Sequence, residues 1–351
     1  MILIVSHAEY ESRMNRQPGA LNLITDVPGL TVGNAHDERL RSGVTVLIPD
    51  GDMVASVDAR GGGTGSREFD LLRPEATVQS VHAIVLSGGS AFGLDAAGGV
   101  MAVLRDKGIG YRAGASIVPI VPAAILFDLN NGGDKAWGLE SPYPALGRSA
   151  FAAAAGDFAL GNAGAGYGAN AGGYKGGLGS ASVRVTEDGP TVGALVAVNA
   201  VGALTHPVSG AFFAWDSEID AEFGGVMPVL EDRGSAVHMP KLSGPGENTT
   251  IGIVATDAAL TKSQCRHFAV MAHQGLTRAI RPANTPFDGD IVFGVSTGVR
   301  PLLDPARELA VLGAHAADCL ARAIARGIFE AESQGDSVCY REKFGIPCRT
   351  S

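Results

Sequence analysis

The run Gly246–Asp257, reading GENTTIGIVATD, restricts this chain more than any other segment. A Gly-, Pro- and Ser-rich stretch from Leu242 to Gly246 leads into the small polar Asn248, two threonines and an apolar, β-branched run. Such a run reads as a strand, so a strand begins at this junction. An ordinary loop entering a strand is the commoner meaning of an Asn-Thr-Thr triplet. A second meaning is chemical. If the Asn248–Thr249 bond were cut, Thr249 would carry a free α-amine and a hydroxyl on one residue. An α-amine of pKa ~8 can act as base for its own hydroxyl, and no distant histidine is required.

The remainder of the chain weighs these readings. Its 351 residues suit one large domain or two ordinary ones. The 49 glycines are about twice the usual share and fall in clusters, which points to tight loops and close backbone approaches. A net charge of −9, with no dense Lys/Arg patch, argues against nucleic-acid or anionic-membrane partners. Val81–Leu104 holds Asp95 and many glycines and makes a poor membrane span, and Ile2–Val5 is too short for a signal peptide. The four cysteines, Cys265, Cys319, Cys339 and Cys348, form no C-x-x-C pair and read as thiols of a reduced, cytoplasmic protein.

Residues 1–20 read as a loose arm, and residues 208–248 as an exposed, cleavable connector. Strands are expected at Val44–Pro49, His82–Leu86, Ser180–Thr186, Thr191–Asn199, Ile251–Thr256 and Ile291–Ser296. One helix runs to about Lys107 before Gly108. Another starts at the capping box Thr261–Gln264, and a last one runs from Asp304 and Pro305 through Ile328. The class is α+β.

Several motifs compete for chemistry. Ser90, in a Gly-rich turn between strand and helix, approaches a nucleophile elbow, but Phe92 stands where the last glycine of G-x-S-x-G belongs. The Arg60–Gly65 loop reads as a turn or as an anion-binding nest. Gly164–Ala169 is a weak dinucleotide pattern that follows no strand. The eight histidines show no zinc spacing, so neither a metal nor a cofactor is expected. Asp288 and Asp290 flank Gly289 ahead of a strand, either as a simple turn or as a carboxylate pair aimed at a site.

Taken in order, several uncommon motifs resemble one family. They are TDVPGL at 25–30, Arg60-Gly61-Gly62 with Arg67-Glu68, LSGGSAFGL at 86–94, KGGLGS at 175–180, Asn248-Thr249-Thr250 with Ala255-Thr256-Asp257, and Asp288-Gly289-Asp290. Over residues 20–330 the chain resembles the self-processing L-aminopeptidase/D-esterase (DmpA-like) family, which includes β-peptidyl aminopeptidases and nylon-oligomer hydrolases. The resemblance implies a four-layer αββα sandwich like that of N-terminal-nucleophile hydrolases. It implies a single catalytic domain cut into an α chain, 1–248, and a β chain, 249–351, with αβ units assembled as tetramers. It places the nucleophile on Thr249, an oxyanion-holding asparagine on Asn199, the nylon-oligomer-hydrolase carboxylate pair on Asp288 and Asp290, and a site lysine on Lys175. It also places Ile125 and Phe127 in the substrate pocket. Ile125 stands where the aminopeptidases carry a glutamate for the substrate's amine. That departure points toward less polar or uncharged amides, since an unpaired buried charge is costly. A short peptide or amide is the expected substrate. A non-catalytic binding protein on the same scaffold and a Ser90 hydrolase are the rival expectations.

Overall fold

The computed structural model of the protein describes residues 17–234 and 248–347. Most of the expected arm, the connector from 235 to 247, and Cys348 lie outside the described residues. Two sheets carry the fold. The first has the order Leu30–Asp37, Ser42–Pro49, Ile84–Ser87, Ala123–Ile125, Ser66–Arg67. The second has the order Gly177–Arg184, Thr191–Asn199, Thr249–Ala258, Ile291–Arg300, Met53–Ala59, Ser80–Val81.

Period-two alternation builds the layers. In Thr249–Ala258, Ile251, Ile253 and Ala255 join Leu195, Phe293, Leu47 and Leu86 in a core between the sheets. Val254 and Ala258 face the other way, onto the helices Lys262–Ala279 and Pro305–Phe329. A third core lies between the first sheet and the helices Ala96–Asp106 and Tyr143–Ala152. The order is helices, sheet, sheet, helices, the αββα sandwich implied by the resemblance. The central strand is buried at all ten positions, as a strand covered on both faces must be.

The long helices begin where their caps lie. The Thr261 hydroxyl accepts from Gln264 N–H at 3.3 Å and the Gln264 side chain accepts from Thr261 N–H at 2.8 Å. Asp304 accepts from Arg307 N–H at 3.4 Å. Two expectations fail locally. The stretch expected to be an exposed connector is packed in its first part, where Phe212 and Phe223 are buried against each other and Phe212 against Tyr340, while 224–234 is largely exposed. The end of the arm is fastened too: Arg184 N–H bonds Gln17 O and Gly19 N–H bonds the Ser182 hydroxyl. Among the described residues no helix is long and apolar enough to cross a membrane.

Candidate functional site

Thr249 opens the central strand of the second sheet, directly opposite Asn199. Odd-numbered residues of that strand face the layer between the sheets, so the Thr249 side chain lies at the mouth of that layer. It is buried, as are Asn248 and Asn199. The Thr249 hydroxyl donates to the carbonyl oxygen of Asn248 at 2.5 Å. The same oxygen accepts from Gly289 N–H at 2.9 Å. The carbonyl carbon beside the Thr249 hydroxyl is therefore already polarised by a fixed donor. Asn199 joins neighbouring segments: its Nδ2 donates to Phe127 O at 3.0 Å and its Oδ1 accepts from Asn170 N–H at 2.9 Å.

The Asp288-Gly289-Asp290 loop presses on this junction. A Cβ at Gly289 would stand 2.6 Å from Gly63 O and 2.7 Å from Thr249 Oγ1, so only glycine fits. Both carboxylates are buried and hold main chain. Asp290 accepts from Thr250 N–H and Asn284 N–H, each at 2.8 Å. Asp288 accepts from Thr285 N–H at 3.0 Å, the Thr285 hydroxyl at 2.7 Å and Val201 N–H at 3.4 Å. Burial, and then the charge of Asp288, push Asp290 far above the usual carboxylate range. The Arg60–Gly65 loop is not an anion nest. Arg60 and Gly61 donate to Asp290 O, Gly62 to Thr285 O and Gly63 to Asp288 O, so its N–H groups cradle the aspartate loop.

Lys175 belongs to a hairpin, Asn170 opposite Lys175, that borders Asn199. Its amine is buried and donates to Gly176 O at 2.8 Å and Gly166 O at 3.2 Å. Burial pulls its pKa down to about 7, opposed by the charge of Asp128. Asp128 is pushed up, chiefly by its own burial. One of its oxygens accepts from Gly89 N–H at 2.7 Å. The other lies beside the Ser42 hydroxyl, and no donor among the described residues meets it in hydrogen-bond geometry. Ile125 is buried in its strand, packed where a Cβ on Gly65 would clash, and Phe127 is half-buried. Ser90 is held through its backbone to Leu126 O. No imidazole or carboxylate among the described residues bonds its hydroxyl.

Residues 22–337 match peptidase family S58. The chain belongs to that family. It is thereby a peptide- or amide-bond hydrolase. An uncharacterized aminopeptidase of Mycobacterium bovis is 42% identical over 347 residues, covering 92% of this chain and 98% of the relative. A 6-aminohexanoate-oligomer endohydrolase of Kocuria sp. is 33% identical over 293 residues, covering 80% of this chain and 77% of the relative. Among solved structures, a Burkholderia sp. beta-aminopeptidase superposes with a TM-score of 0.70 at 24% identity, over 94% of each chain. The L-aminopeptidase D-Ala-esterase/amidase of Ochrobactrum anthropi, described as a variant of the Ntn hydrolase fold, gives 0.69 at 21%, over 94% of this chain and 96% of that one.

Several parts of this site have no mark in the sequence. The Gly289 N–H, the Phe127 carbonyl and the Thr285 hydroxyl are main-chain or common groups whose placement has no motif. Asp128 carries a signal in hindsight, since an aspartate right after the buried strand Ala123–Ile125 has few ways to remain in water.

Proposed function

We propose that this S58 hydrolase cuts itself between Asn248 and Thr249, giving chains 1–248 and 249–351, and then uses Thr249 as its nucleophile. One observation carries the reading: the Thr249 hydroxyl and the Gly289 N–H converge on a single carbonyl, that of Asn248, at 2.5 and 2.9 Å. In the uncut chain the Thr249 nitrogen is an amide and cannot act as a base. The Asp288–Asp290 pair, pressed on Thr249 through Gly289 and with Asp290 raised in pKa, is the proton acceptor for this first reaction. The Thr249 oxygen bonds to the Asn248 carbonyl carbon, its proton passes to the pair, and the C–N bond breaks as the nitrogen is protonated. Water then hydrolyses the ester, leaving the Asn248 carboxylate and the Thr249 amine.

In the cut enzyme the free amine takes over as base for the hydroxyl. Gly289 N–H and Asn199 hold the oxyanion, Asp288 and Asp290 orient the amine, and Lys175 is a second site group able to exchange a proton near neutral pH. Ile125 and Phe127 line the pocket. A buried aliphatic side chain at Ile125 favours short peptides or amides without a charged amine at that point, in keeping with relatives named for 6-aminohexanoate oligomers as well as for aminopeptidase activity. The proposal includes homotetramers of αβ units in the cytoplasm, where the buried thiols Cys265, Cys319 and Cys339 stay reduced.

Denaturing mass spectrometry tests the core of this. Wild type should give two chains joining at 248/249, and Thr249→Ala a single intact one with no turnover of peptide amides. An intact, active wild-type chain would sink the proposal. Activity lost in Ser90→Ala but kept in Thr249→Ala would move the nucleophile to Ser90.

A further inference from the structure

The Asp288–Asp290 pair raises a question of charge. Two carboxylates lie buried on either side of one glycine, and no lysine or arginine among the described residues forms an ion pair with either. Backbone N–H groups satisfy their lone pairs but supply no full positive charge. Close like charges in a buried site repel strongly, so the ionised form of Asp290 depends on whatever steadies its donors nearby.

His273 stands in that place. It lies on the helix Lys262–Ala279 and is 2% exposed. Its Nε2 is 2.7 Å from the side-chain oxygen of Asn284. Asn284 is the residue whose N–H holds Asp290, and it sits at a φ of 57°, a left-handed conformation that needs support in a non-glycine residue. On the other side, His273 Nδ1 is 3.2 Å from Asp58 Oδ2. The ring thus bridges Asp58 and Asn284, hydrogen-bonded on the Asn284 side, while Nδ1 meets Asp58 outside hydrogen-bond geometry.

Asp58 is itself prepared for this. Burial pushes its carboxyl up, but hydrogen bonds and charge from His273 and Arg60 outweigh that and hold it below the usual range. Arg60 Nε is 2.5 Å from Asp58 Oδ2, and Arg266 is 3.9 Å from Oδ1. The charged and titratable groups around the ring are therefore Asp58 and Arg60 from the sheet, Arg266 from its own helix and Asp290 from the site loop. The neighbouring helix Pro305–Phe329 contributes Asp318, which is taken up by Arg278 at 2.7 Å.

We propose that His273 is a positioning residue for the reaction at Thr249: it anchors Asn284 and, through the Asn284 N–H, the carboxylate of Asp290. The line Asp58–His273–Asn284–Asp290 runs from the helix face of the second sheet to the cut site. This inference rests on Thr249 as the nucleophile and the pair as its first base.

Self-cleavage gives a readout free of any substrate choice. Precursor made by cell-free synthesis is followed by denaturing mass spectrometry across about pH 5 to 9, for wild type, His273→Gln, Asp58→Asn and Thr249→Ala. Removing the ring, or the carboxylate it packs against, loosens Asn284 and the N–H that steadies the ionised Asp290, and leaves Asp290 harder to ionise. The pH of half-maximal cleavage should therefore rise by about half a unit or more in both His273→Gln and Asp58→Asn. A lower rate with an unmoved midpoint in both variants means a purely structural role and overturns the inference. If His273→Gln does not fold, Asp58→Asn decides alone. Thr249→Ala separates the layers: an uncut Thr249→Ala with unmoved midpoints sinks only the role of His273, whereas a cut Thr249→Ala sinks the nucleophile as well.

Discussion

The loop at Asp288–Asp290 and the turn at Ser87–Gly89 with Asp128 each bury carboxylate, yet they treat it in opposite ways. At the first, five donors converge on two side chains, four of them backbone N–H groups at 2.8 to 3.4 Å. Backbone donors hold their place, so the two carboxylates have one geometry. At the second, Asp128 has one backbone donor, Gly89 N–H, the Ser42 hydroxyl beside it, and two amines, Lys135 and Lys175, whose charges burial disfavours. One region fixes positions and the other leaves a proton free to move. Saturated hydrogen bonding suits a group that must align a scissile carbonyl. Both regions can take a proton, but only the first does so from a fixed position beside that carbonyl.

Each region also contains a glycine with no room for a side chain, and swapping both for alanine is the harshest test of the contrast. In Gly289→Ala the new methyl meets Thr249 Oγ1 and Gly63 O, so the loop moves and the N–H leaves the Asn248 carbonyl. Losing one such donor costs about two to three orders of magnitude in rate, and self-cleavage followed by gel should slow by about that much. In Gly88→Ala the methyl meets Asp128 Oδ2 at 2.2 Å and Ser42 Oγ at 2.3 Å, both on side chains. Overpacking there should lower stability by about 1–3 kcal/mol in denaturant melts and change cleavage only a few-fold. A reversal, with Gly88→Ala uncut and Gly289→Ala cut at the wild-type rate, would break the comparison.

A smaller effect concerns stability against pH. Lys175 has its folded pKa lowered to about 7 from an ordinary 10.5. Between those values the unfolded chain binds the extra proton, so this group makes stability rise with pH from about 7 toward 10.5 and depresses it below 7. Lys175→Met removes that slope. Relative to wild type, the variant should be best placed below pH 7 and lose ground steadily as pH climbs, read from melting temperatures in matched buffers. A flat difference across the window would mean that the amine stays charged when buried.

The two regions also differed in how much the sequence disclosed. The long strands, the caps at Thr261 and Asp304 and the Asp-Gly-Asp turn are local patterns, each readable within a few residues. Thr249, Asn199, Asp288 and Asp290 do meet at one strand end, because strand register carries them there. The strand Met53–Ala59, fifth of six in the second sheet, was not foreseen, since its MVASVDA sequence is short and carries a charge at its next-to-last residue. That charge is Asp58, and it makes sense only beside His273, two elements away. Asp128, Lys175 and Ser42 likewise come from three distant segments. Their meeting depends on packing of the first sheet against the Gly-rich stretch after Gly161, which no spacing in the chain records. The same loop length that hid them makes residues 208–234 look exposed, although aromatic contacts bury Phe212 and Phe223.

The smallest expected effect bears on the loose region alone. Asp128→Asn keeps an oxygen for Gly89 N–H and nearly the same volume, so the fold and the cut at 248/249 should be unchanged. What it removes is the charge that opposes the downward pull of burial on Lys175. The amine should then lose its proton at a still lower pH, by a fraction of a unit on the scale of a partly screened neighbouring charge. Titration of ¹³C-labelled lysine by NMR would show the Lys175 midpoint falling in Asp128→Asn while the other lysines stay where they are. A midpoint that rises or holds would mean that Asp128 is already protonated beside a neutral amine. In that case the region would be a hydrogen-bonded acid held by Gly89, closer in kind to the Asp288–Asp290 loop than the contrast allows.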